Sequence, residues 1–298
     1  MVINFGSLNI DYVYTMDHFI RPGETYTADR LDIFPGGKGL NQSIAVARAG
    51  GHIGHVGCIG REGGFLLDFL AADQVDVSGV STLACSNGHA IIQVDKHGEN
   101  CIILYSGANR NQPDDFVPAA AARLNGSEIV LFQNETDGIA EMMCLAKDKG
   151  CRIALNPAPM DERALALPLN LVDYLIVNEG EGAALLGYDA ASGCDQPDRI
   201  LEQLAQRYPQ ARIILTLGGR GMLFAWRTTR LDLPAWHAGP VVDTTAAGDT
   251  FIGTYLALID NNQDDPAALS MAVKAAGLTV TRAGAASSIP HLREYMNL

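Results

Sequence analysis

The sequence predicts an α/β fold: a doubly wound, mainly parallel sheet with helices on both faces, plus a small β-sheet lid built from two early segments. Three observations predict it. From residue 113 onward, helical and strand-like stretches alternate, the rhythm of βαβ units. The strand-like stretches from residue 128 onward are continuous apolar runs, as strands covered on both faces should be. Residues 12–34 and 89–105 fall outside that rhythm and alternate loosely in Tyr, Thr and Ile. The reading is one domain, 1–298, with residues 12–34 and 89–105 forming the lid.

In chain order, residues 2–6 are a short apolar strand ending in Gly. The Arg21-Pro22-Gly23 turn interrupts the first lid segment. Residues 40–48 read as a helix whose apolar face is small: Ile44, Ala45 and Ala47. Residues 89–95 and 101–105 are strands, and Lys96-His97-Gly98-Glu99 between them makes a hairpin. Helices follow at 113–124, 137–149, 179–186, 200–208, 247–260 and 266–280. Strands are read at 128–133, 152–156, 174–177 and 212–216. There is no internal repeat or low-complexity linker.

Composition narrows the function. Lys plus Arg is 21 and Asp plus Glu is 34, a formal charge of −13 over 298 residues. Such a surface repels phosphate polymers, so no nucleic-acid partner is expected. A local anion site made of backbone N–H groups remains possible, because it needs no net positive charge. Cys58, Cys85, Cys101, Cys144, Cys151 and Cys194 form no C-x-x-C pair, which speaks against zinc and suggests reduced thiols in a cytoplasm. No apolar run approaches the ~20 residues of a membrane span. The first residues read as a strand rather than a signal peptide.

Asp243-Thr244-Thr245-Ala246-Ala247-Gly248-Asp249-Thr250-Phe251 carries the most chemistry. Ala246, Ala247 and Gly248 are small residues at a helix start, where unpaired N–H groups and the helix dipole favour an anion. Asp249 falls inside the first turn, where a carboxylate next to phosphate is costly unless it accepts a proton from an attacking hydroxyl. An acidic residue there also stabilises a helix N-terminus with no further role. Pro35-Gly36-Gly37-Lys38-Gly39-Leu40-Asn41-Gln42 precedes another helix, and its glycines permit close approach to a ligand. It is neither a Walker loop nor G-x-G-x-x-G, and taken alone it is only a turn.

Together the two stretches are similar to the ribokinase branch of the PfkB carbohydrate-kinase family. Asn9-x-Asp11, Asn156-Pro157-Ala158-Pro159, Asn178-Glu179-Gly180-Glu181, Thr216-Leu217-Gly218-Gly219-Arg220-Gly221 and Thr281-Arg282-Ala283-Gly284-Ala285 extend the resemblance over nearly the whole chain. The resemblance implies Asp249 as catalytic base, with Ala246, Ala247 and Gly248 as the anion hole. It implies Asn9, Asp11, Gly37, Lys38, Asn41 and Glu135 around the sugar hydroxyls. Asn178 and Glu181 would serve Mg²⁺ and the phosphates, and Thr216, Gly218 and Gly221 the nucleotide. Asp243, Thr245, Thr279, Arg282, Gly284 and Ser288 would hold K⁺. It further implies ATP as donor and a homodimer formed through the lid.

The residues themselves agree in part. Asp and Asn side chains suit hydroxyl groups, since one accepts and the other does both. Glu135 follows a strand at its carboxyl end, where open α/β sheets bind ligands. Asn9 and Asp11 also suit a plain turn, and Asn178 an ordinary helix N-cap. Gly180 and Gly182 are weak helix formers just behind Asn178. His52-Ile53-Gly54-His55 matches a tRNA-synthetase signature without its lysine-rich partner and is read as coincidence; no His shows metal spacing. The expected activity is phosphorylation of the primary hydroxyl of a pentose, D-ribose first. A 2-deoxyribose, nucleoside or hexose kinase and a non-catalytic sugar-binding protein stay open as alternatives.

Overall fold

The computed structural model describes residues 1–188 and 196–298; Cys194 lies outside them. The chain runs β1 (Val2–Phe5), β2 (Asn9–Thr15), β3 (Arg30–Gly36), α1 (Lys38–Arg48), β4 (Ile53–Ile59) and α2 (Gly64–Ala72). It continues with β5 (Asp76–Thr82), β6 (Gly88–Val94), β7 (Asn100–Tyr105), α3 (Phe116–Ala122), β8 (Ile129–Gln133), α4 (Ile139–Asp148) and β9 (Arg152–Asn156). Then come α5 (Glu162–Leu165), β10 (Tyr174–Asn178), α6 (Glu179–Leu185), α7 (Pro197–Arg207) and β11 (Arg212–Thr216). The chain closes with β12 (Met222–Trp226), β13 (Thr229–Leu233), α8 (Ala247–Asp260) and α9 (Asp265–Thr279).

A nine-stranded sheet has the order β13-β12-β11-β10-β9-β8-β1-β4-β5. From β11 to β5 every pairing is parallel, and β12 and β13 add an antiparallel edge. The expected double cover follows from the strands themselves. Leu131 of β8 enters one core with residues of α1, α8 and α9, while Val130 and Phe132 enter the other with residues of α3 and α4. Because successive side chains point to opposite faces, a strand buried on both must be apolar throughout. The chain leaves β1 toward β4 on one side and reaches β8 on the other, so the order reverses at β1. The crevice outside the carboxyl ends of β1 and β8 is therefore the switch point where such sheets take ligands.

The smaller sheet has the order β3-β2-β6-β7, with β2 antiparallel to β3 and parallel to β6. The hairpin read across Lys96–Glu99 joins β6 and β7. Ile33, Phe34, Ile102, Ile103, Leu104 and Tyr105 of this sheet are all exposed, so both of its faces carry uncovered apolar side chains.

Some elements differ from the sequence reading. The helix read at 113–124 begins only at Phe116, after a turn closed by Phe116 N–H to Pro113 O at 2.9 Å. The helix read at 200–208 begins earlier, at Pro197, whose fixed φ suits the first helical position. Elements α2, β5, β12 and β13 had no counterpart in that reading.

Candidate active site

The loop 243–246 delivers α8 to the crevice. Ala246 adopts left-handed φ 60° and ψ 7°, an uncommon conformation for a residue with a side chain. It turns the chain so that α8 starts abruptly, and Ala247 and Gly248 line a cavity of about 360 Å³. Nothing lies within 4 Å of where a Gly248 side chain would begin. First-turn N–H groups lack intrahelical acceptors, so this wall of the cavity suits an anion. Asp249 follows in the first turn and is 8% exposed. It is more than a helix-start charge: Asn41 Nδ2 donates to its Oδ2 at 3.1 Å and Gln42 Nε2 to its Oδ1 at 2.9 Å.

The far side of that cavity is the glycine turn after β11. Thr216, Gly218 and Gly221 line it together with Asn178, and Trp236 and Phe251 supply flat apolar walls. Thr216 Oγ1 donates to the Val177 carbonyl at 3.3 Å, tying β11 to the end of β10. Asn178 is an N-cap: its Oδ1 accepts from Glu181 N at 2.8 Å, and Glu181 Oε2 accepts from Asn178 N at 2.9 Å. This reciprocal box compensates for the two weak helix formers. Gly182 has a packing reason, since a side chain there would begin 2.9 Å from Ile200 Cγ2 on α7.

On the opposite side of Asp249, the glycine-rich turn before α1 meets the ends of β1, β2 and β8. Gly37, at φ 91°, is the N-cap of α1. Lys38 N–H donates to Glu135 Oε2 at 3.1 Å, and the Ser7 hydroxyl donates to the same oxygen. Burial opposes the charge of Lys38, but the carboxylates of Asp249, Glu135 and Glu181 outweigh it and hold the ammonium above its usual range. Burial pushes the carboxyls of Glu135 and Glu181 up in spite of that ammonium. Asp11, on β2, faces Gly36 of β3, where any side chain would begin 2.0 Å from its carboxylate. Burial first, and the charge of Glu135 second, push Asp11 up to about 7. Asn9 Oδ1 accepts from Asn109 Nδ2 at 2.7 Å, so Asn9 anchors the root of the small sheet. Asn41 keeps one atom in reserve: Oδ1 is buried and without a partner.

The residues read as a monovalent-cation site sit on two loops that hydrogen bonds bring together. Asp243 Oδ1 accepts from Thr245 N at 2.9 Å and Thr245 Oγ1 at 2.6 Å, and Oδ2 accepts from Gly284 N at 3.0 Å. Burial opposes this charge, but those three donors hold the carboxyl below its usual range. Thr279 Oγ1 is engaged with Thr250 Oγ1 and the Ala275 carbonyl, Arg282 with Glu294, and Ser288 Oγ with the Ala285 carbonyl. One carboxylate with neutral oxygens suits a weakly charged ion, and among the described residues no cluster of three or more acidic, His or Cys side chains could hold a metal.

Sequence reasoning passed over Ser7, Gln42 and Trp236. Gln42 stood inside the quoted motif without a role. Ser7 and Trp236 follow a strand and a loop with no local signal, and only the fold brings them to the crevice.

A helix start suited to an anion, the buried carboxylate of Asp249 between two amides, and hydroxyl-seeking side chains across from it form the geometry of a small-molecule kinase. The comparisons with known proteins agree. The profile of the pfkB family carbohydrate kinases matches residues 1–292. A ribokinase of Haemophilus influenzae is 33% identical over 296 residues, covering 98% of this chain and 95% of that protein. The crystal structure of a Cryptococcus neoformans ribokinase in complex with ADP superposes with a TM-score of 0.86 at 32% identity, covering 99% of this chain and 98% of that one. An Arabidopsis thaliana ribokinase complexed with ribose and ATP gives 0.85 at 26% identity, covering 99% and 97%. The chain belongs to the pfkB family of carbohydrate kinases and is a phosphotransferase with an alcohol acceptor.

Proposed function

We propose that this chain transfers the γ-phosphoryl group of ATP to the primary hydroxyl of a free pentose, D-ribose in first place. The observation that carries the reading is Asp249, a buried carboxylate between the cavity lined by Ala247 and Gly248 and the Asp11, Asn41 and Glu135 side of the crevice. Asp249 takes the proton of the attacking hydroxyl, and the amides of the α8 start receive the charge of the transferring phosphate. Asp11, Asn41 and Glu135 grip the remaining hydroxyls, with Lys38, Asn9 and Gly37 framing them. Thr216, Gly218 and Gly221 seat the nucleotide. The relatives named as ribokinases favour ribose over 2-deoxyribose, a nucleoside or a hexose.

Two ions belong to this reading. Mg²⁺ would neutralise phosphate charge, with Asn178 and Glu181 holding its waters; Glu181 Oε1 is free of the capping box and fits that task. K⁺ would sit between the Asp243 and Gly284 loops and stiffen the turn into α8. In the same reading residues 1–298 act as one domain. The small sheet closes over the sugar and pairs with a second copy through its exposed apolar residues, and the enzyme works in the cytoplasm. A coupled ADP-release assay over pentoses, hexoses and nucleosides tests the assignment. No ADP with any sugar would leave a binding protein.

A further inference from the structure

Asp249 is held from behind by two amides, and one of them, that of Gln42, is not free to turn. An amide side chain can present either its oxygen or its nitrogen to a carboxylate, and only the nitrogen attracts it. In the core behind the site, a run of fully buried polar side chains settles which. We infer that Gln42 is a positioning residue for Asp249, locked with its donor toward the carboxylate by a buried hydrogen-bonded chain through Gln133, Asn4 and Ser43 to His55.

The direction follows from backbone carbonyls, which only accept. The Gly6 carbonyl lies 3.2 Å from His55 Nε2, so Nε2 carries the proton and Nδ1 accepts from Ser43 Oγ at 2.8 Å. Burial holds His55 down to about 4, so it stays neutral and keeps this tautomer at ordinary pH. The Gly39 carbonyl accepts from Asn4 Nδ2 at 2.7 Å, which fixes that amide; its second hydrogen goes to Ser43 Oγ at 2.9 Å. Asn4 Oδ1 is then an acceptor and takes Gln133 Nε2 at 3.0 Å. The same Nε2 donates to Gln42 Oε1 at 2.7 Å. Gln42 is thereby left with its Nε2 facing Asp249 Oδ1 and, at 3.4 Å, Asn156 Oδ1. Asn156 is fixed in turn by donating Nδ2 to the Ile176 carbonyl at 3.1 Å.

Turning Gln42 over would set its oxygen against a carboxylate and a second carbonyl oxygen in the buried interior. Asn4, Gln42, Ser43, His55 and Gln133 are all 0% exposed, and an unmatched polar group there is costly. The charged groups around Asp249 give the lock its purpose. The charge of the Lys38 ammonium acts on it, as do those of the Glu135 and Glu181 carboxylates. Without the neutral donors behind it, Asp249 would turn toward Lys38 and lose its aim at the substrate hydroxyl. Those donors hold it as a base with a set direction and no reorganisation during the reaction.

This inference rests on Asp249 being the base, and the experiment separates the two. Gln42→Glu keeps size and shape but replaces the donor with a second carboxyl against Asp249, and Ser43→Ala removes the hydroxyl that takes the second hydrogen of the Asn4 amide and bonds His55. Both are expected to lower kcat, Gln42→Glu by about ten- to a hundredfold and Ser43→Ala by about fivefold. The KM for sugar and the affinity for ADP should stay near wild type; the melting temperature should fall, because each change leaves a fully buried polar group unmatched, so rates are compared on enzyme that is folded at the assay temperature. In an Asp249→Asn background Gln42→Glu should add little, because its effect passes through Asp249. A folded Gln42→Glu or Ser43→Ala enzyme turning over within twofold of wild type would overturn the inference. So would an equal loss from Gln42→Glu in both backgrounds. Near wild-type turnover by Asp249→Asn alone would instead remove the base itself.

Discussion

Asn41 gives one end of its amide to Asp249 and keeps the other vacant: Nδ2 lies 3.1 Å from Asp249 Oδ2, while the buried Oδ1 has no partner. With the nitrogen committed, the oxygen can only accept, and it sits beside the proposed base. An unpaired acceptor in a buried site is a standing cost that a substrate hydroxyl relieves.

The first expected outcome concerns Asp249. Asp249→Asn keeps the shape of the site but cannot take a proton. It should lower kcat by ~10² or more while ADP binds as before. Steady-state rates with titration calorimetry of ADP check it. A variant with near wild-type turnover would take Asp249 out of the mechanism.

Asp11 gives a pH signature. Its carboxyl is pushed up to about 7 from an ordinary 3.8, so between those values the folded chain holds a proton that the unfolded chain has released. Stability from this group is complete below about 4 and is lost as pH rises to about 7, on the order of 4 kcal/mol in all. Glu135 is also pushed up and acts in the same direction, so the comparison must be with a variant. Asp11→Asn should lose less melting temperature than wild type between pH 5 and 8 in sugar-free buffer. Parallel curves would mean that Asp11 titrates as an ordinary carboxylate.

How much of this was legible in the sequence depends on range. Helix α8 was read with its observed bounds, because small residues and an acidic first turn are local signals. The β12–β13 hairpin was missed because Arg227, at φ 52°, occupies a turn position where Gly or Asn would have announced it. Strand β5 was missed because an edge strand reading Asp-Val-Ser-Gly-Val-Ser-Thr is too polar to look like a sheet. In the site, Asp249 and Asn41 were named from motifs, but the bond between them spans 208 residues of chain. No local pattern encodes such a pairing. The roles of Ser7, Gln42 and Gln133 are of the same kind, set by which strand ends the topology brings together.

Dimerisation should depend on the exposed apolar residues of the small sheet. Ile103 and Leu104 are 57% and 58% exposed and lie on the edge strand β7. Apolar surface of this extent on an edge strand calls for a partner. Sedimentation of the wild type should give twice the chain mass of 31.8 kDa, and a double variant Ile103→Glu, Leu104→Glu the single mass. A wild type that sediments at the single mass at micromolar concentration would leave the sheet as a lid alone.

The loop site predicts ion dependence. Asp243 is the one formal charge that joins the loop before α8 to the loop carrying Gly284. K⁺ bound beside it should raise the rate relative to Na⁺ at equal ionic strength, and Asp243→Asn should abolish the difference. Removing Mg²⁺ with a chelator should stop turnover in either salt. Equal rates in K⁺ and Na⁺ for the wild type would reject the monovalent site.

Substrate choice follows from what is left unpaired. Asp249 can deprotonate only a hydroxyl held within about 3 Å of it and in line with the γ-phosphorus. The other hydroxyls must then meet Asp11, Asn41 and Glu135. Each of these is desolvated: Asp11 by burial that lifts its carboxyl to about 7, Asn41 by an acceptor with no partner, Glu135 by burial under Ser7 and Lys38. A sugar lacking a partner hydroxyl leaves one of them unmatched, a penalty of about 1–3 kcal/mol and more at a charged group. Ribose should therefore exceed 2-deoxyribose in kcat/KM by about tenfold or more if Asp11 meets the 2-hydroxyl. Asp11→Asn should then narrow that ratio rather than lower both rates equally. The measurement is kcat/KM for ribose, 2-deoxyribose, fructose and adenosine under one set of conditions. Fructose or adenosine exceeding ribose tenfold would sink the pentose assignment and leave the carbohydrate-kinase family membership intact.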